Sequence, residues 1–132
     1  MKELIILKKT KGLQNEKDTF KSIKKINIDY DQENFIILCL DSKRKIIKSE
    51  LIFLGGLNSC LIDHKVIFRK ALINNSNSII VAHNHPSGDL TPSKEDIDIY
   101  HTLKNIGNML LLEVLDSIIF NKKEFYSLNN EI

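Results

Sequence analysis

The sequence predicts an α/β fold, a single-domain sandwich in which helices cover a mixed β-sheet. Helical and extended apolar patterns alternate along its second half, which is typical of α/β proteins. The run "IIVA", Ile79–Ala82, is continuously apolar and predicts a central strand covered on both faces. Two apolar segments joined by a polar turn predict an antiparallel hairpin, which makes the sheet mixed. At 132 residues the chain has the length of one domain.

The front of the chain is predicted to form one helix and the hairpin. Residues 14–26, "QNEKDTFKSIKKI", have the pattern of a short amphipathic helix with Phe20 and Ile23 facing inward. The hairpin follows in "NFIILCLDSKRKIIKSELIFL", with its turn at Asp41–Arg44. "GGLNS", Gly55–Ser59, is expected to break the second strand.

The back of the chain is predicted to contain two helices around the central strand. Asp63 has the position of an N-cap for the first helix, and "NNSNS" ends that helix. The second helix is predicted from Lys94 to about Asn105, with Gly107 placed to end it. "MLLLEVLDSIIF" and "EFYSL" are predicted as the closing strands. The inward stripe of the second helix comprises Ile99, Leu103 and Ile106.

Composition and apolar runs argue against a membrane span and a secretory leader. Hydrophobic residues make up 42% and charged residues 27%, which is ordinary for a globular protein. The longest apolar run, Phe35–Leu40, is far shorter than the roughly 20 residues that a membrane-spanning helix needs. We therefore expect a cytoplasmic protein without a membrane partner. Cys39 and Cys60 match no metal or redox spacing, and we expect both to be reduced and structural.

Positive charge is concentrated at the amino terminus. Residues 1–25 contain eight lysines and three acidic residues, and we interpret residues 1–30 as a basic lead-in. A basic segment of this kind is suited to contacts with nucleic acid. A solvated lysine-rich surface explains it better, because Phe20 is the one aromatic residue among these lysines. Nucleic acid therefore stays a candidate partner beside this interpretation.

The stretch "HNHPSGDLTPSKED" concentrates residues that can bind a metal. His83 and His85 stand two residues apart at the end of a buried strand, so their imidazoles point to the same side. Pro86 stops that strand. Ser93 and Asp96 have the spacing of a capping box, with Asp in place of Glu, and helix-start chemistry alone would explain these two residues. It would not explain the histidines.

Asp96 favours the metal interpretation, because it lies on the inward stripe of its helix, where an unpaired carboxylate costs roughly several kcal/mol. Two neutral imidazoles and one carboxylate form a three-ligand set, and zinc with three protein ligands and a water is the arrangement of a catalytic site. Bound zinc lowers the pKa of that water to about 7. The signatures of zinc deaminases and of His-Glu-x-x-His metalloproteases are both absent from the sequence.

The same stretch resembles the JAMM motif of the JAB/MPN metalloprotease fold: His-x-His-Pro, six residues, Ser, two residues, Asp. More narrowly, "VAHNHPSGDLTPSKEDI" is similar to the RadC-like (UPF0758) branch, historically labelled DNA repair proteins. The similarity runs from about Glu33 to about Ser127. It implies a JAB/MPN, cytidine-deaminase-like fold for residues 31–132.

The resemblance also implies roles for five residues. His83, His85 and Asp96 would be the ligands of one Zn²⁺ ion per chain. Ser93 would donate a hydrogen bond to the developing oxyanion. Glu33, in "QENFIIL", matches the family's general base at the head of an early core strand. From its neighbours alone, Glu33 is equally well interpreted as an exposed acid before a strand.

Two segments depart from the family pattern. Asp63–Val66 stands where His-Pro-Arg-Glu is typical, and Leu115–Ser117 stands where Leu-Asp-His is frequent. Both departures spare the implied ligands, and we expect them to alter substrate contacts. His64 is expected to be a surface residue at a helix start.

Two functional hypotheses from different classes follow. The first is a zinc-dependent hydrolase of amide or isopeptide bonds, a JAMM-type metallopeptidase with a peptide or isopeptide substrate. The second is a DNA-associated RadC-like protein of repair or mobile-element systems, in which the zinc site is structural or vestigial.

Overall fold

The computed structural model of the protein describes residues 12–54 and 62–131, which form three α-helices and five β-strands. The helices are α1 (Glu16–Lys24), α2 (His64–Ile73) and α3 (Lys94–Met109). The strands are β1 (Asn34–Leu40), β2 (Ile46–Leu54), β3 (Ser78–Asn84), β4 (Glu113–Phe120) and β5 (Phe125–Ser127), and a short 3₁₀ helix (Leu128–Glu131) follows β5.

The five strands form one mixed sheet in the order β2-β1-β3-β4-β5. β3 and β4 run parallel, with α3 as the crossover that a parallel pair requires, and the other neighbours run antiparallel. β3 lies at the centre, and every residue of it is buried. The central strand predicted from Ile79–Ala82 and the mixed sheet predicted from the hairpin are both confirmed.

Helices cover both faces of this sheet. α2 and α3 pack on one face, where Ile67 and Leu103 are fully buried. α1 packs on the opposite face, where Ile23 is fully buried and the ring of Phe20 lies 5.0 Å from that of Phe125 between centroids. The predicted sandwich and the inward positions of Phe20 and Ile23 are confirmed. The boundary placed at residue 30 stays a prediction.

The hairpin turn is built around Asp41. Its Oδ1 accepts hydrogen bonds from the backbone N–H groups of Lys43 at 2.8 Å and Lys45 at 2.9 Å. Arg44 takes a left-handed conformation with φ of 61°, which closes the turn. The predicted turn is confirmed, whereas the predicted break at Gly55–Ser59 lies outside the described residues.

The prediction that Gly107 ends α3 is wrong. Gly107 lies inside the last turn, and Leu111, with φ of 55°, takes the left-handed position that follows the helix. The N–H of Leu112 then donates to the carbonyl of Gly107 at 2.8 Å. A Cβ at Gly107 would lie 2.3 Å from the carbonyl oxygen of Leu112, so the close return of the chain requires glycine there. The predicted strand accordingly begins later, at Glu113.

Cys39 is a buried free thiol in the middle of the sheet, and burial raises its pKa. This position agrees with the structural role expected for it. Cys60 lies outside the described residues. Between residues 12 and 54 and between 62 and 131, none of the helices has the length and apolar character needed to cross a membrane.

Candidate metal centre

The end of β3 and the first turn of α3 bring three potential metal ligands together. Nε2 of His83 lies 3.1 Å from Oδ1 of Asp96, and Nε2 of His85 lies 3.2 Å from Oδ2 of the same carboxylate. One ligand atom from each residue lies within 4.8 Å of the other two. Strand alternation gives the two imidazoles a common side, as the sequence predicted. In the part of the chain that the structure describes, no other group of three such side chains converges in this way.

The hydrogen bonds around the imidazoles fit a bound cation. Nδ1 of His85 lies 2.7 Å from the carbonyl oxygen of Asp89, which only accepts, so Nδ1 carries a proton. In a neutral His85 the lone pair of Nε2 then faces a carboxylate oxygen, an arrangement that a cation between them stabilises. Nδ1 of His83 is buried without a hydrogen-bond partner in the described structure, and Nε2, although it lies close to Oδ1 of Asp96, makes no hydrogen bond of good geometry. A divalent cation would satisfy Nε2, the nitrogen that faces Asp96.

Electrostatics keep Asp96 ionised. Burial raises the pKa of Asp96, but the two neighbouring imidazoles, assisted by the backbone of Ser93, outweigh burial and hold it well below its usual range. The pKa of His85 is raised, chiefly by its contact with Asp96. The site therefore contains a partly buried negative charge that favours positive charge beside it.

The capping box predicted at the start of α3 is present and fixes the same carboxylate. Oγ of Ser93 accepts a hydrogen bond from the N–H of Asp96 at 3.0 Å, and the N–H of Ser93 donates to Oδ2 of Asp96 at 2.8 Å. Helix capping and the metal interpretation are therefore compatible. Oδ2 is held by the cap and by His85, while Oδ1 faces His83.

Glu33 lies beside this cluster because of the register between β1 and β3. Phe35 pairs with His83, and their rings stack with centroids 6.1 Å apart. Glu33, two residues before Phe35, consequently lines a cavity of about 30 Å³ together with His83 and Asp96. That volume is enough for a water molecule. The remaining residues that line it are Phe35, Ile62, Ile99 and Ser117.

The sequence of the chain matches the model of the RadC-like JAB domain over residues 13–132. The chain belongs to the RadC-like JAB domain family. Among its relatives are UPF0758 proteins of Staphylococcus haemolyticus, 48% identical over 103 residues, Methanosarcina barkeri, 42% over 100 residues, and Halalkalibacterium halodurans, 39% over 100 residues. The matches cover 78%, 76% and 76% of this chain but 45%, 44% and 43% of the relatives. The chain thus spans less than half the length of these relatives.

Ser117 lines the cavity of this RadC-like JAB domain, a position that local sequence pattern did not predict. The register of β3 and β4 shifts between Ile79 and Ile80, so Leu115 is the extra residue of a β-bulge. After the bulge, Ser117 pairs with Val81 and faces the cavity. The departure noted at Leu115–Ser117 therefore lies next to the candidate metal site. Simple alternation along β4 gives no signal for this placement.

His64 differs from its expected surface position. It begins α2, as predicted, but is only partly exposed, and its Nε2 is buried without a hydrogen-bond partner among the described residues. Asp63 caps the helix by accepting from the N–H of Lys65 at 2.9 Å, as the sequence predicted. His101, on α3, is exposed and takes no part in the ligand cluster of this RadC-like JAB domain.

Proposed function

We propose that this protein is a zinc-dependent hydrolase of amide or isopeptide bonds, with one Zn²⁺ ion held by His83, His85 and Asp96. The observation that carries the proposal is the convergence of two imidazole nitrogens on one ionised carboxylate, beside a cavity that Glu33 also lines. Two nitrogens and one carboxylate oxygen suit zinc, which in catalytic sites takes three protein ligands. When bound, the ion would polarise the substrate carbonyl and lower the pKa of a coordinated water.

The protein's own side chains supply the proton transfers. Glu33, partly buried at the head of β1, would accept a proton from water in the cavity and return it to the leaving nitrogen. Oγ of Ser93 uses a lone pair to accept from the N–H of Asp96, which leaves its own proton available for the developing oxyanion. Both assignments follow from the family resemblance. The place of Glu33 in the cavity and the hydrogen bond between Ser93 and Asp96 support them.

Hydrolysis of peptide-linked and isopeptide-linked substrates by the zinc-loaded protein tests this function. We expect the wild-type protein to turn over substrate, a chelator to abolish this turnover and added zinc to restore it. Asp96→Ala should show no turnover under the same conditions. Absence of turnover on both substrate classes by protein that carries stoichiometric zinc would contradict the proposal.

The cytoplasmic location stays a prediction.

A second candidate function is association with DNA. Lys17, Lys21 and Lys24 are exposed on α1 at helical spacing, and Lys25 follows them, so one helix face presents four positive charges. A phosphate contact predicts that the logarithm of affinity falls with the logarithm of salt concentration, by about 0.9 per phosphate neutralised. No binding to duplex DNA at low salt would remove this candidate.

A further inference from the structure

Asn84, between the two histidines, points to the opposite face of β3 and is 1% exposed. Its Oδ1 accepts hydrogen bonds from the backbone N–H of Asn34 at 2.9 Å and from Nδ2 of Asn34 at 3.0 Å. Its Nδ2 donates to the carbonyl oxygens of Gln32 at 2.9 Å and Tyr30 at 3.3 Å. All four hydrogen bonds therefore go to residues 30–34, which lead into β1 and include its first residue.

The side chain of Asn34 adds hydrogen bonds to the same segment, and we call the hydrogen bonds of Asn84 and Asn34 the clamp. Asn34 is also 1% exposed, and its Nδ2 donates to the carbonyl oxygens of Asp29 at 2.8 Å and Gln32 at 3.0 Å. The two asparagines thus tie residues 29–34 to the carboxyl end of β3. Glu33 lies within this segment, directly between two residues that the clamp holds.

We propose that Asn84 is a positioning residue that fixes Glu33 relative to the candidate metal ligands. In the run His83-Asn84-His85, the outer residues point their imidazoles to one face, and the middle residue holds the Glu33 segment from the other. Movement of the strand end therefore moves the ligands and Glu33 together. The proposal rests on the proposed function through the role of Glu33 as general base.

A test that needs no activity is amide hydrogen exchange in Asn84→Ala. The substitution removes the acceptor of the Asn34 N–H, so we expect that amide to exchange at least about tenfold faster, while amides in the middle of β3 keep their protection. Zinc content should stay as in wild type. The matched control is Asn74→Ala, which removes a part-buried amide bonded to the Lys70 carbonyl at the far end of the sheet. Unchanged exchange at Asn34 in Asn84→Ala would overturn the clamp.

A kinetic cycle with Glu33→Gln tests the positioning itself. Asn84→Ala should lower kcat by about 10- to 100-fold with little change in KM, because it misplaces the base and leaves substrate contacts intact. In the Glu33→Gln background the same change should cost less than about twofold, since the group it positions is already disabled. If the double variant loses kcat by the product of the two single-variant factors, Asn84 acts independently of Glu33, and the proposal is overturned.

The two levels of failure are distinguishable. Full activity of Glu33→Gln would overturn the role of Glu33 and the proposal with it, whereas unchanged exchange beside an inactive Glu33→Gln would overturn the clamp alone. If Asn84→Ala does not fold, Asn84→Asp serves as the second variant. It keeps the side-chain volume and the Oδ1 acceptor but cannot donate to the carbonyls of Gln32 and Tyr30. Asn84→Asp should therefore lower kcat, as Asn84→Ala does.

Discussion

The hydroxyl group of Ser93 has a structural role and a proposed catalytic role. Its oxygen caps α3 by accepting from the N–H of Asp96, and its proton is available to the developing oxyanion. Ser93→Ala removes the Oγ acceptor of the Asp96 N–H but keeps the backbone N–H that holds Oδ2 of Asp96. We expect a loss of about 1 kcal/mol in the free energy of unfolding and about 100-fold in kcat. Denaturant unfolding and steady-state kinetics measure these two effects separately.

Ser93→Thr is the control, because it retains a hydroxyl group that can cap the helix and donate. It should keep both stability and turnover much closer to wild type than Ser93→Ala does. A stability loss in Ser93→Ala with unchanged turnover would assign Ser93 to helix capping only.

Glu33 is the proposed catalytic side chain farthest in sequence from the ligands. Glu33→Gln preserves shape and volume but removes the basic carboxylate, so it should retain zinc and fold while losing activity by a factor of about 100 to 10,000. Asp98→Asn, which neutralises an exposed acid on α3, is the matched control and should remain fully active. Wild-type turnover in Glu33→Gln would transfer the role of base to another group.

At the scale of elements, the bulge in β4 buries a second carboxylate on the face of the sheet that α1 covers. Burial raises the pKa of Asp116, although hydrogen bonds from Ser127, Asn129 and the N–H of Ser117 partly oppose the shift. A pKa that is raised on folding means that stability is full below the unfolded pKa and falls as the pH rises through the folded pKa. Ionised Asp116 therefore destabilises the fold at neutral pH.

Asp116→Asn should remove this pH-dependent loss. Its Oδ1 can still accept from the N–H groups of Ser117 and Asn129, and its Nδ2 can donate to Oγ of Ser127. We expect Tm to rise by roughly 2 to 5 °C at pH 7. The difference from wild type should vanish as the pH falls well below the unfolded pKa of about 3.9, where Asp116 is protonated in both states. Thermal unfolding followed by circular dichroism checks this, and an equal destabilisation at every pH would contradict it.

At the scale of the whole molecule, the three candidate metal ligands were predictable because their geometry is local. His83 and His85 share a side by strand alternation, and Asp96 faces inward by helical periodicity. Glu33 reaches the site only through the pairing of Phe35 with His83, a long-range register that the family resemblance implied and local pattern could not. Features that depend on such non-local contacts were the ones that local pattern missed.

Two of these missed features have specific physical causes. Ser117 faces the cavity because a bulge shifts the alternation of β4, and a bulge leaves no mark in the apolar pattern. Gly107 was misplaced as the end of α3 because a glycine needed for close backbone approach and a glycine needed for a left-handed turn look identical in sequence. Leu111 takes the left-handed turn despite its side chain.

The zinc content of the purified protein after zinc loading and exhaustive dialysis tests the central claim most directly. We expect about one equivalent in wild type and in Glu33→Gln, and loss of the ion in His83→Ala and Asp96→Ala, because two remaining protein ligands hold it poorly. Because the ligands join β3 to α3, free zinc at about 100 times its Kd should also stabilise wild type by roughly 2.7 kcal/mol. Wild-type protein that retains less than about a tenth of an equivalent, with a Tm that zinc does not change, would contradict the metal centre and leave the capping box as the sole role of Ser93 and Asp96.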